Sequence, residues 1–99
     1  MRCTMCIRSN MSYEWDAQKA ASNTRKHGVS FADAVGALED PQAVTIDDPH
    51  PSEERFVTIG TDFIGRVIVV CWTARGQQVR LISARQASKS ERRFYVAEE

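Results

Sequence analysis

Two residue types in this sequence are suited to chemistry near neutral pH. His27 carries an imidazole, the one side chain whose ordinary titration falls between mildly acidic and mildly basic, so it is the candidate proton donor or acceptor. Ten of the 13 basic residues are arginine. A guanidinium is a planar fork that fits a phosphate or a carboxylate through two parallel hydrogen bonds. Arg80 and Arg85 bracket Leu81-Ile82-Ser83-Ala84. Their odd spacing puts them on opposite faces of a regular strand, whereas a bulge or strand end near Ser83-Ala84 lets both face one cleft. Each residue also has a purely structural reading. His27, with Arg25 and Lys26, can serve as a cation at a helix C-terminus. Arg80 can form a buried ion pair with an acidic residue of the 31–62 segment. Metal chemistry has little support. Cys3-x-x-Cys6 lacks a second ligand pair, Cys71 stands alone, and His27 and His50 are not at ligand spacing, so neither a metal nor a cofactor is expected.

Charge is segregated along the chain although it sums to zero. Residues 1–30 carry a net +3, residues 31–62 a net −7 and residues 63–97 a net +6, before the closing Glu98 and Glu99. Zero net charge by itself argues against nucleic-acid binding. The segregation leaves two readings open: ion pairing across a solvated surface, or a phosphate-binding face. Ninety-nine residues at 42% apolar content make one ordinary globular domain. No apolar run is long enough to span a bilayer, and no secretory signal opens the chain, so no membrane partner and a cytoplasmic location are expected.

The elements that must position these residues centre on the stretch Arg55–Arg85. Three runs rich in Val, Ile, Thr and aromatics, Phe56–Thr61, Arg66–Thr73 and Gln78–Ala84, predict an antiparallel meander. The middle run is apolar on both pleat faces and must be central or covered twice. Upstream, residues 1–12 lack any period and read as a loose extension, with the domain covering 13–99. Tyr13-Glu14-Trp15 suits an edge strand. Asp16 caps a helix from Ala17 to about His27, which Gly28 stops. Ser30 caps a second helix, Phe31 to Leu38, expected to bury Phe31, Ala34, Val35 and Leu38. Ala43–Asp47 predicts a strand, and Asp48–Ser52 a loop with a silent His50. Ser88-x-x-Glu91 has capping-box form and opens a short basic helix docked through Phe94. The expected fold is α+β: two N-terminal helices on a mainly antiparallel sheet of four or five strands, then a short C-terminal helix.

Tyr13-Glu14-Trp15-Asp16, Arg25-Lys26-His27-Gly28-Val29-Ser30-Phe31, Asp40-Pro41, Glu54-Arg55-Phe56, Gly65-Arg66, Arg80–Arg85 and Glu91-Arg92-Arg93 with Tyr95 recur in the order of BrnT-type toxins, and the chain resembles that family from about Tyr13 to Tyr95. The resemblance implies a RelE-like fold and a ribonuclease that stops translation. It also implies a BrnA-like antitoxin that neutralises the toxin, binds operator DNA and assembles with it into a heterotetramer. RNA cleavage without a metal uses the neighbouring 2′-hydroxyl as nucleophile and needs an acid, a base and cations on the phosphorane. His27, Arg80, Arg85 and Lys26 are the candidate catalytic set, and Arg55, Arg66, Lys89, Arg92 and Tyr95 the candidate RNA contacts. Arg93 and Trp72 have stronger structural readings, as a solvated helix face and as core. The other class of function is a non-catalytic binding module that acts with the antitoxin in operon repression, and zero net charge favours it.

Overall fold

The computed structural model describes residues 12–48 and 53–97. Cys3-x-x-Cys6, His50 and all of the expected extension except Ser12 lie outside the described residues. In chain order the elements are β1 (Ser12–Glu14), α1 (Ala17–His27), α2 (Phe31–Leu38), β2 (Val44–Asp48), β3 (Arg55–Thr61), β4 (Val67–Arg75), β5 (Gln78–Gln86) and α3 (Lys89–Ala97). The five strands form one sheet in the order β1-β5-β4-β3-β2. The meander β3-β4-β5 and its neighbour β2 pair antiparallel, while β1 lies parallel to β5.

Local chemistry sets the helix boundaries. The Asp16 carboxylate accepts the Gln18 and Lys19 amides at 2.8 and 3.0 Å, and these bonds hold its carboxyl below the usual range. Gly28 ends α1 in the left-handed region at φ 71°, as a C′ glycine does. Ser30 Oγ accepts the Asp33 amide at 3.1 Å and starts α2. The expected burial along α2 is half met. Phe31 and Ala34 are buried, but Val35 and Leu38 are only half-buried, while Gly36 and Ala37 are buried instead. The reason is close approach. A Cβ at Gly36 would sit 2.6 Å from the Phe63 amide nitrogen, and one at Gly60 2.6 Å from the Ala37 carbonyl oxygen. Backbone meets backbone there, so the face of α2 that looks at β3 is its smallest one.

Sheet register then assigns two faces. Val29, Phe31, Ala34 and Ala37 pack on Ile68, Val70, Val79, Leu81 and Ala84, which makes the α1/α2 side the inner face. Ile59, Val69, Ala87 and Tyr95 cluster with Val57 and Val67 on the outer face. Strand β4 is central and covered on both sides, which explains its unbroken apolar run. The docking residue of α3 is Tyr95, 6% exposed, and not the expected Phe94, 45% exposed. The Tyr95 hydroxyl donates to the Asp40 carboxylate at 2.6 Å, and that carboxylate also accepts the Thr61 amide at 2.9 Å. Phenylalanine has no group with which to answer a carboxylate at this place.

One buried polar side chain closes the sheet. Strand β1 covers only residues 78–80 of β5, so the edge beyond needs partners for its backbone. Asn23, 7% exposed, supplies them. Its side-chain oxygen accepts the Ala84 amide at 3.1 Å, and its amide nitrogen donates to the Ala84 carbonyl at 2.8 Å and to the Val29 carbonyl at 2.9 Å. The side chain acts as a one-residue extra strand that ties α1 to β5. Asn23→Ala leaves a buried donor and acceptors unpaired and should lower stability by about 3 kcal/mol. Equilibrium urea unfolding measures this, and a loss below about 1 kcal/mol would contradict the role given to Asn23.

Candidate functional site

The site depends on an irregularity in β5. Cys71 pairs with Ser83 and Trp72 with Leu81, so Ile82 is an extra residue bulged out of the β4–β5 ladder. Val79, Leu81 and Ala84 all face inward as a result, at 3%, 2% and 0% exposure. Arg80 and Arg85 both face outward, cross-strand from Thr73 and Val69. A regular strand would have sent one of them into the core. Their Cα atoms are on the order of 15 Å apart at about 3.3 Å per residue.

Arg80 reaches Glu14 Oε2 at 3.5 Å. The alternative reading of Arg80, a buried ion pair with the 31–62 segment, is not met among the described residues. The parallel pairing of β1 places Glu14 beside Arg80 instead. Arg85 is held more tightly. Its Nη1 and Nη2 donate to the two carboxylate oxygens of Glu91, each at 2.8 Å. Those bonds, with the Ser88 amide, pull the Glu91 carboxyl down to about 2. The Ser88 amide donates to Glu91 at 2.8 Å and the Glu91 amide to Ser88 Oγ at 3.2 Å, so the expected capping box is present.

Two depressions flank Arg85. One, of about 210 Å³, lies at the uncovered edge of β5, where Lys19, Ser22, Lys26 and His27 of α1 meet Ile82 and Ser83. The second, of about 410 Å³, is floored by Val67 and rimmed by Lys89, Arg92 and Arg93 of α3. Ser83 is two residues before Arg85, and Val67 is two residues from its cross-strand partner Val69. Lys19, Lys26 and His27 thus stand at the sheet edge, Lys89, Arg92 and Arg93 on the outer face, and Arg85 lies between the two groups along β5. Lys26, His27, Lys89 and Arg92 are exposed and enter no ion pair among the described residues.

Other candidates are placed elsewhere. Arg66 is a structural residue. Its Nε and Nη2 bind the fully buried Asp62 carboxylate, each at 2.9 Å, and its Nη1 donates to the Gly28 carbonyl at 3.0 Å. This bond set pins the β3–β4 turn to the end of α1. Tyr95 cannot stack on a base, because its ring is buried under α3. Arg55 donates to Glu53 at 2.7 Å and stands at the start of β3, away from the β5 edge. Trp72 is inner-face core, stacked on Phe56 at 4.6 Å with its Nε1 donating to Thr58 Oγ1 at 2.8 Å. Sequence reading missed the roles of Asn23, Asp40, Asp62 and Glu91 as carboxylate or amide partners. The Asp62-x-x-x-Arg66 spacing across a Gly65 turn was a visible signal for one of them. Among the described residues no three His, Cys, Asp or Glu side chains come together, and no helix is long and apolar enough to cross a membrane.

The molecule is an α+β domain with a two-faced sheet and basic residues at one edge. Residues 15–91 match the family described as the ribonuclease toxin BrnT of type II toxin–antitoxin systems. The chain belongs to this BrnT family, whose members act with an antitoxin partner. The crystal structure of the Brucella abortus ribonuclease toxin BrnT is similar to it, with 29% identity and a TM-score of 0.61 over 81% of this chain and 100% of that one. Comparison with curated proteins gives no match.

The Glu91 carboxyl has a folded-state pKa of about 2 against an ordinary 4.5. A depressed carboxyl adds stability that is complete above the ordinary value and is lost as pH falls through the folded one. Wild type should therefore be more stable than Glu91→Gln above pH 4.5, and the difference should vanish as pH approaches 2. Melting temperatures of both proteins across that window test this, and a constant difference would contradict it.

Proposed function

We propose that this chain is an endoribonuclease that cleaves RNA without a metal and so blocks translation. The ribose 2′-oxygen attacks the adjacent phosphorus and the bond to the 5′-oxygen breaks, leaving a 2′,3′-cyclic phosphate and a 5′-hydroxyl. One proton leaves the 2′-hydroxyl and one reaches the departing oxygen. His27 carries one of these transfers. Lys26, next to it, and the guanidinium of Arg85 offset the charge that builds on the phosphorane, and Arg80 holds a neighbouring phosphate. Lys89 and Arg92 continue the track along α3, with Arg55 farther along the outer face.

The observation that carries this reading is the Ile82 bulge. It sets Arg80 and Arg85 on one exposed face, beside the strand edge where α1 delivers Lys26 and His27. Stacked carboxylates are no part of this arrangement, and fixed cations can supply the electrostatic stabilisation that metal ions give elsewhere. The partner in this reading is a BrnA-like protein that silences the nuclease in a heterotetramer built on an antitoxin dimer. Operator DNA is bound only through that partner, and the setting is the cytoplasm.

Purified protein should cut RNA in excess EDTA and leave cyclic or 3′-phosphate ends. Activity abolished by EDTA would remove the mechanism. His27→Ala and Arg85→Ala should each lower kcat/KM by about 10²-fold or more with the fold intact. Expression without a partner should arrest growth, and harmless overexpression of folded protein would favour the non-catalytic module instead.

A further inference from the structure

We propose that Glu91 is a positioning residue: it holds Arg85 as a preset anion fork in the free protein and yields it to an RNA phosphate on binding. The inference rests on the reading of Arg85 given above and adds a residue that does not itself touch RNA. A carboxylate with two oxygens on the two terminal nitrogens of a guanidinium occupies the place that two phosphate oxygens take in the same fork. Both Glu91 bonds to Arg85 are 2.8 Å, and the pair lies at the surface, with side chains 46% and 29% exposed. The pair is open to water on both sides, so a phosphate can reach the same fork and replace the carboxylate like for like.

Glu91 has a second holder. Its Oε1 also accepts the Ser88 amide, so losing Arg85 leaves the carboxylate in its capping box and α3 still begun. Arg85 likewise has a donor to spare, since its Nε makes no hydrogen bond among the described residues. The clamp thus fixes the guanidinium between the two basic depressions before RNA arrives, and the arriving phosphate must compete with an internal anion. Competition of this kind weakens substrate and transition state alike, so it raises KM and leaves kcat unchanged.

Glu91→Gln isolates the effect, because glutamine also serves at this capping-box position and removes only the charge. The probe is a short, fully 2′-O-methylated single-stranded RNA, which lacks the attacking hydroxyl. The variant should bind it up to about fivefold more tightly. Its log affinity should fall more steeply with log salt, by about 0.7 in slope, since Arg85 no longer trades one anion for another. With cleavable RNA, KM should fall and kcat stay level. Asp47→Asn makes the same change in net charge on the far edge strand and should leave affinity unchanged. The gain must also disappear when Arg85→Ala is added.

Unchanged or weaker binding by Glu91→Gln, or a gain that survives Arg85→Ala, overturns the inference. If Arg85→Ala alone weakens binding in that case, the reading of Arg85 stands without the clamp. If Arg85→Ala binds as wild type does, both fall together. Should Glu91→Gln fold poorly, the wild type still decides. The ¹³C resonance of the Glu91 carboxyl must shift when the RNA is added, and a resonance that stays put contradicts the exchange.

Discussion

The ladder between β4 and β5 carries one residue too many on one side, and much of the molecule follows from where that residue sits. With Ile82 bulged, residues on either side of it change phase, and Val79, Leu81 and Ala84 can all enter the inner core. The same phase change turns Arg80 and Arg85 outward together. Asn23 completes the arrangement from α1. It bonds both backbone groups of Ala84, two residues past the bulge, and so fixes the irregular edge that β1 is too short to cover. Packing, edge satisfaction and the placement of the guanidinium groups are therefore one constraint.

Arginines that build the protein and arginines left at its surface differ in the burial of their partners. Asp62 has no exposed side-chain surface, and Arg66 wraps it with two nitrogens while a third holds the end of α1. Removing Arg66 would strand the buried Asp62 charge, so this pair is committed to the fold. Glu14 and Glu91 are 32% and 29% exposed, and their bonds to Arg80 and Arg85 sit in water. Such pairs are reached by solvent and can be exchanged for phosphate. The acidic 31–62 segment does meet the basic remainder, but through Asp62 on Arg66 and not through Arg80.

Local signals wrote much of the fold into the sequence. Asp16, Gly28, Ser30 and the Ser88–Glu91 capping box marked three helices close to their observed ends, because a cap acts through neighbours in the chain. Strand composition marked the meander for the same reason. What could not be read depends on contacts between distant residues. No glycine or turn residue marks Ile82. Asn23 and Ala84 are 61 residues apart. The choice of Tyr95 over Phe94 is made by Asp40, 55 residues upstream, and β1 pairs in parallel with β5 at the other end of the chain. For the site, His27, Lys26 and the two outward arginines were legible as types, whereas which arginines were spent on structure was not.

The account turns on Arg80 and Arg85 meeting the same RNA strand from one face of the sheet. ¹⁵N spectra of the arginine side chains, recorded as the 2′-O-methylated RNA is titrated in, address this directly. The expected result is that the Arg80 and Arg85 side-chain resonances both move along one binding curve while those of Arg66 stay fixed. A response from only one of the two, or from Arg66 in their place, would contradict the shared outer face as the RNA-binding surface.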